Sequence, residues 1–169
     1  MITIKLSPEV YDSAISLAHF RYQMSRASKL VNQKQDKSRT ELEIEKLGAK
    51  GEFAVATLYN LNQPATTGWD SGYDLWFCSK SIQVKTTFHT DGQLLFKAKE
   101  KFVADFAVLV VEDTDCPMKM TIVGATSKDY FFTHAVKKDL GNGEVYTLSQ
   151  DKMAKPENFW KYMMEKRYA

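Results

Sequence analysis

The run Phe106-Ala-Val-Leu-Val-Val111 limits this chain more than any other stretch. A strand that is apolar at every position has no face to give to water, so other parts of the chain must cover both sides of it. The chain has 169 residues, 44% hydrophobic and 26% charged, which is enough for one domain with a core of that kind. The order of the remaining elements gives an α/β (α+β) fold in which helices flank a central mixed β-sheet.

Ile2 to Leu6 reads as a short edge strand or an ordered lead-in. Ser7-Pro8-Glu9 starts a helix, with a cap, a proline in the first turn and an acid beside the helix dipole, and the helix runs to about Asn32. A second helix spans Arg39 to Asn60 and is interrupted by Gly48 and Gly51. Each glycine costs about 1 kcal/mol relative to alanine in a helix interior. A close backbone approach or a kink just before Glu52 would account for that cost. Asn62 to Ser71, with Pro64 and Gly68, reads as a loop with room for one short strand, and a short helix over Lys97 to Val103, a strand over Met120 to Thr126, a helix over Ser127 to Val136 and a strand over Val145 to Leu148 follow. Pro156 opens a closing helix with Phe159, Trp160, Met163 and Met164 on one face. We divide the single domain into an N-terminal helical extension (1–39), a core (40–112) and a C-terminal sheet and helix elaboration (113–169).

The core contains Gly72-Tyr-Asp-Leu-Trp-Phe-Cys-Ser-Lys-Ser-Ile-Gln-Val-Lys-Thr-Thr87, which reads as two short strands joined by a tight turn. Side chains alternate along a strand, so Gln83 and Lys85 share a face. A two-residue turn at Ser79-Lys80 would set Asp74 opposite Lys85, and any even loop keeps Asp74 on the Gln83/Lys85 side. Cys78 reads as a small core residue.

The formal net charge of +2 is too mild to indicate nucleic acid by itself. Its distribution says more. Between Ala18 and Arg39 lie Arg21, Arg26, Lys29, Lys34, Lys37 and Arg39 against a single acid, Asp36, a basic stripe of the kind that meets polyanions. Lys97, Lys99 and Lys101 form a second basic set. The two cysteines, Cys78 and Cys116, lack a metal-type spacing. No apolar stretch approaches the ~18 residues of a membrane span, and no secretory leader pattern opens the chain. The expectation is a soluble protein of a reducing, cytoplasmic compartment with no membrane partner. A homodimer through the C-terminal or N-terminal helix is a further expectation.

Two carboxylates, Glu52 and Asp74, with the amide oxygen of Gln83 suit a hard divalent cation. Mg²⁺ takes only one or two protein carboxylates and completes its octahedron with water and phosphate. A lysine such as Lys85 beside that cation can orient a water and stabilise charge growing on a phosphate.

Gly48-Ala-Lys-Gly-Glu52, Gly72-Tyr-Asp-Leu75 and Ile82-Gln-Val-Lys-Thr86, in that order, resemble the PD-(D/E)XK nuclease superfamily. They are most similar to the branch in which Gln replaces the middle acid, as in Mrr-like restriction endonucleases. The resemblance covers roughly Thr40 to Glu112. It implies a restriction-endonuclease-like core of helix, three-strand meander, helix and strand, in which the first strand of the meander would lie near Thr66 to Trp69. It also implies a Mg²⁺-dependent (or Mn²⁺-dependent) nuclease acting on phosphodiesters, most readily a DNA endonuclease of phage or mobile-element type. Asp74 would be the central metal ligand and Glu52 a second, direct or through water. The Val84 backbone carbonyl would face the metal, Gln83 would stand where an acid is usual, and Lys85 would position the water. Loss of one negative charge at Gln83 lowers the expected metal affinity and favours one metal over two. Arg21, Arg26, Lys29, Lys50, Thr86, Lys97, Lys99 and Lys101 are the candidate nucleic-acid contacts. A non-catalytic nucleic-acid-binding or protein-interaction module of the same fold, or an RNA-cleaving nuclease, are the alternatives.

Overall fold

In the computed structural model, which describes residues 1–27, 39–64, 72–141 and 143–167, the apolar run forms β5 (Phe106–Glu112), buried at every position. Beside it lie β1 (Ile2–Lys5), β2 (Leu75–Phe77), β3 (Lys80–Thr87) and β6 (Lys119–Ser127), in the order β1-β6-β5-β3-β2. β3 and β5 run parallel, and the other neighbours are antiparallel. This is a mixed sheet, as the sequence predicts.

The two faces of β5 meet different partners. Phe106, Val108 and Val110 pack with Ala54, Val55 and Tyr59 of α2 (Glu41–Tyr59) and with Phe159 and Met163 of α4 (Pro156–Arg167). Ala107, Leu109 and Val111 face a second core. That core is built by a small antiparallel sheet of β4 (Leu94–Phe96), β8 (Glu144–Leu148) and β7 (Val136–Asp139), together with α3 (Lys128–His134). The sequence reading put helices on both faces, whereas a three-stranded sheet shares the cover of the second one. α1 (Pro8–Ala27) lies against α2 through Ala14, Leu17 and Ala18 facing Ala49 and Phe53.

The helix signals act as read. Ser7 Oγ accepts the Val10 N–H at 3.3 Å, capping α1. Thr40 and Glu43 close a capping box at the start of α2. Asn60 ends that helix in the left-handed region at φ 50°. The Lys97 to Val103 helix is reduced to a single 3-10 turn, Lys99–Lys101. Phe96 and Phe102 stack with centroids 4.4 Å apart, and this pair folds the segment back too tightly for an α-helix. The Ser127 to Val136 helix stops at His134, and Val136 instead begins β7. β7 is exposed at every position, so it lacks the alternating pattern that marks a half-buried strand.

The strand expected near Thr66 to Trp69, the end of the first helix, and Lys29, Lys34, Lys37 and Asp70 lie outside the described residues. Phe159 and Met163 are buried in the chain's own core, which leaves little of that helical stripe for a second copy. Among the described residues, no helix is long and apolar enough to cross a membrane.

The two helix glycines separate cleanly. A Cβ on Gly51 would fall 1.9 Å from Thr86 Oγ1, whereas one on Gly48 would meet nothing within 4 Å. Gly51 is where α2 touches β3, and nothing in the packing requires a glycine at 48. Gly51→Ala is therefore expected to cost about 1–3 kcal/mol through overpacking, at roughly 2–4 °C per kcal/mol for a chain of this size. Gly48→Ala should add up to about 1 kcal/mol. Thermal unfolding of the two variants checks both signs.

Candidate active site at the open edge of the hairpin

β2 and β3 pair as Leu75↔Ile82, Trp76↔Ser81 and Phe77↔Lys80. The turn is therefore Cys78-Ser79, one residue earlier than expected, and the Asp74 N–H bonds to the carbonyl of Ile82, the partner of Leu75, so Asp74 sits as an extra residue at Ile82 rather than opposite Lys85. Asp105 explains the choice. Ser81 N–H and Oγ–H both donate to Asp105 Oδ2 at 2.9 Å, and Lys80 Nζ donates to Oδ1 at 3.2 Å. Those contacts hold Lys80 and Ser81 at the start of β3 beside β5. Cys78 then takes the turn at φ 53° and is exposed, not a core residue. The pairing moves by two positions, an even number, so Leu75 and Phe77 keep their face, but the alternation breaks at Asp74, because Tyr73 packs on the second core beside Trp76.

β2 ends while β3 runs on, so among the described residues no strand pairs with β3 beyond Ile82 on that side. Asp74 lies along this edge: its N–H donates to Ile82 O at 2.9 Å, and its Oδ2 accepts the Val84 N–H at 2.6 Å. Val84 thus reaches the site through its N–H. Ile82 and Val84 point into the helix-side core, so Gln83 and Lys85 point the other way. Lys85 Nζ lies 5.4 Å from the Phe96 ring centroid. Gln83 is 8% exposed, and its Oε1 is buried without a hydrogen-bond partner. From the opposite side comes Glu52, only 5% exposed and carried in by the approach at Gly51.

Arg21 of α1 grips Glu52 with both ends of its guanidinium, Nη1 to Oε1 at 2.6 Å and Nη2 to Oε2 at 2.9 Å. Burial works against the Arg21 charge, but Glu52 outweighs it with help from Asp74 and Glu45, and its pKa is raised. Asp74 goes the other way. Some of its residue surface stays accessible, yet loss of water around the carboxylate, followed by the negative charge of Glu52, pushes its pKa up to about 7. The Val84 N–H, Lys85 and Arg21 oppose that rise. Glu52, Lys85 and Arg21 are therefore all close enough to act on the Asp74 carboxyl group.

Two carboxylates fit Mg²⁺ or Mn²⁺, which accept few protein ligands and fill the rest of the shell with water or phosphate. Among the described residues, no three His, Cys, Asp or Glu side chains gather as a fuller metal cage. Glu52 and Asp74 are the residues that could hold the ion, and Gln83 points to the other face of β3.

The candidate nucleic-acid contacts divide. Lys97, Lys99 and Lys101 are exposed, and Arg26 is exposed with Nη1 donating to Tyr22 Oη at 2.9 Å. Lys50 is 5% exposed and ion-paired with Glu112, so it does not face a phosphate. Thr86 Oγ1 is buried against Gly51 and likewise does not. Arg21 turns inward to Glu52. Sequence reasoning missed this last pairing, although a signal existed. Arg21 follows Leu17 and Ala18 by one helical turn, and Glu52 sits between Ala49 and Phe53, so extending the two apolar stripes that meet brings the pair together.

No protein-family model matches the chain, and no curated protein is detectably similar to it. The chemistry of the site has to carry the functional reading.

Proposed function

We propose that this chain is a Mg²⁺- or Mn²⁺-dependent nuclease that hydrolyses phosphodiester bonds, with DNA as its substrate. One observation carries the reading. Burial and the negative charge of Glu52 push up the pKa of Asp74, which lies along the edge of β3 with Lys85 and Arg21 acting on the same carboxyl group. Two carboxylates that repel each other are oxygen donors that a divalent cation would reconcile. The order α2, antiparallel hairpin, crossover and parallel β5 supports a restriction-endonuclease-like core of the PD-(D/E)XK type, with Gln-x-Lys on β3.

When bound, the cation would polarise the scissile phosphate and acidify a water. The chain's own residues do the rest. Asp74 and Glu52 would hold the ion, with the Val84 carbonyl as a further ligand. Gln83, standing where an acid is usual, would bring no charge, which favours one metal over two. Lys85 orients the attacking water and offsets the negative charge that builds on phosphorus. Exposed Lys97, Lys99, Lys101 and Arg26 contact the phosphate backbone.

The test is cleavage of supercoiled, linear, branched and single-stranded DNA, and of RNA in parallel, in Mg²⁺ or Mn²⁺. Wild type should cut, and Lys85→Ala should cut about 10²–10³-fold more slowly. An inactive wild type on every substrate, or a fully active Lys85→Ala, would sink the proposal. Gln83 in place of an acid favours a second reading, a nucleic-acid binder without catalysis. It would hold DNA equally well in EDTA and cut nothing.

A further inference from the structure

Each oxygen of Glu52 accepts one Arg21 N–H, so a cation approaching Glu52 must compete with a guanidinium charge already held on that carboxylate. The two partners are unequally covered: 31% of the Arg21 side-chain surface is exposed against 7% for Glu52. Arg21 can therefore be approached from solvent while Glu52 cannot. A phosphate offers a guanidinium the same two-pronged oxygen geometry as a carboxylate, so the exchange replaces one bidentate ion pair with another. Arg21 also acts on Asp74, so one positive charge is felt by both acids.

Resting on the nuclease reading, we propose that Arg21 gates the metal site. It occupies Glu52 until a nucleic-acid phosphate takes its guanidinium, and only then does Glu52 become a metal ligand. The free protein thus binds divalent cations weakly, and substrate and cation load together. Arg21 is a positioning residue that acts through Glu52, and α1 ties substrate arrival to assembly of the site. Because coupling between two ligands is reciprocal, cation and DNA must strengthen each other's binding by the same factor.

The first measurement is Mn²⁺ binding to the full chain without nucleic acid, followed by electron paramagnetic resonance. Arg21→Ala should bind Mn²⁺ at least about tenfold more tightly than wild type, and Asp74→Asn should lose the site. Equal or weaker binding by a folded Arg21→Ala, as for a clamp that merely orients Glu52, overturns the gate. Should Arg21→Ala fail to fold, Arg21→Lys keeps a charge without the fork and should still bind about threefold more tightly. Equal or weaker binding by Arg21→Lys overturns the gate in the same way. The second measurement is fluorescence anisotropy of a labelled DNA duplex in Ca²⁺ and in EDTA. Wild type should gain about tenfold in affinity from Ca²⁺, and the gain should shrink below about twofold in Arg21→Ala. An undiminished gain in Arg21→Ala also overturns the gate. If Asp74→Asn instead binds Mn²⁺ as wild type does, the metal-site reading itself has failed, a result distinct from failure of the gate.

Discussion

Asp74→Asn is expected to remove cation-dependent DNA cleavage, by about 10³-fold or more, since a metal site contributes several kcal/mol to the transition state. The same change should make the metal-free protein more stable above neutral pH. The sign follows from proton counting. The folded-state pKa of Asp74 is raised to about 7, whereas an unfolded Asp titrates near ~3.9. Between those values the folded chain holds a proton that the unfolded chain has released, so stability falls as pH rises from about 4 through about 7 and then levels. An asparagine carries no such penalty, and the difference at about pH 8 should be of order 2–4 kcal/mol. Thermal unfolding in EDTA from about pH 5 to about pH 8 reads it as the gap between the two curves, which removes the titration of every other group. Adding Mn²⁺ should close the gap by stabilising wild type alone. Parallel curves, or a variant that still cuts, would remove Asp74 from the centre of the site.

That a residue can be costly to the fold and needed by the site explains what was legible in the sequence. β5 could be read because apolar side chains at every position permit only a strand covered on both faces, and Phe106 to Val111 has that cover. What covers the second face could not be read, because β7 is exposed along its length and its place depends on pairing with β8. The hairpin was legible in its faces but not in its turn. Face follows from alternation within the strands, while the turn is set by Asp105, a residue far along the chain that hydrogen-bonds Ser81. That Glu52 and Lys85 come close enough to act on Asp74 was legible from the order of the three in the chain. The Arg21 clamp was not, since a contact between two helices is specified by how their stripes meet rather than by local pattern. The same limit applies to Lys50, read as a phosphate contact because it flanks Glu52.

Lys50→Met is expected to destabilise the protein by about 3–5 kcal/mol, far beyond the roughly 0.5 kcal/mol typical of a surface substitution. Lys50 Nζ meets Glu112 Oε2 at the end of β5 and lies 5.9 Å from the Tyr11 ring centroid. Lys50 and Glu112 side chains keep only 7% and 10% of their surface. Removing the lysine leaves a carboxylate buried without its counter-ion, where α1, α2 and β5 come together. Most of that cost belongs to the stranded charge rather than to the bond, so Lys50→Met with Glu112→Leu should recover most of the lost stability or exceed wild type. The two single losses should therefore be strongly non-additive, as expected for direct partners. Denaturant unfolding of the four proteins measures the cycle, and the salt dependence of DNA binding separates the two roles. A lysine on phosphate would leave stability near wild type and flatten the salt slope by about one charge when removed. A lysine that neutralises Glu112 gives the reverse, with the double variant stable and its salt slope unchanged.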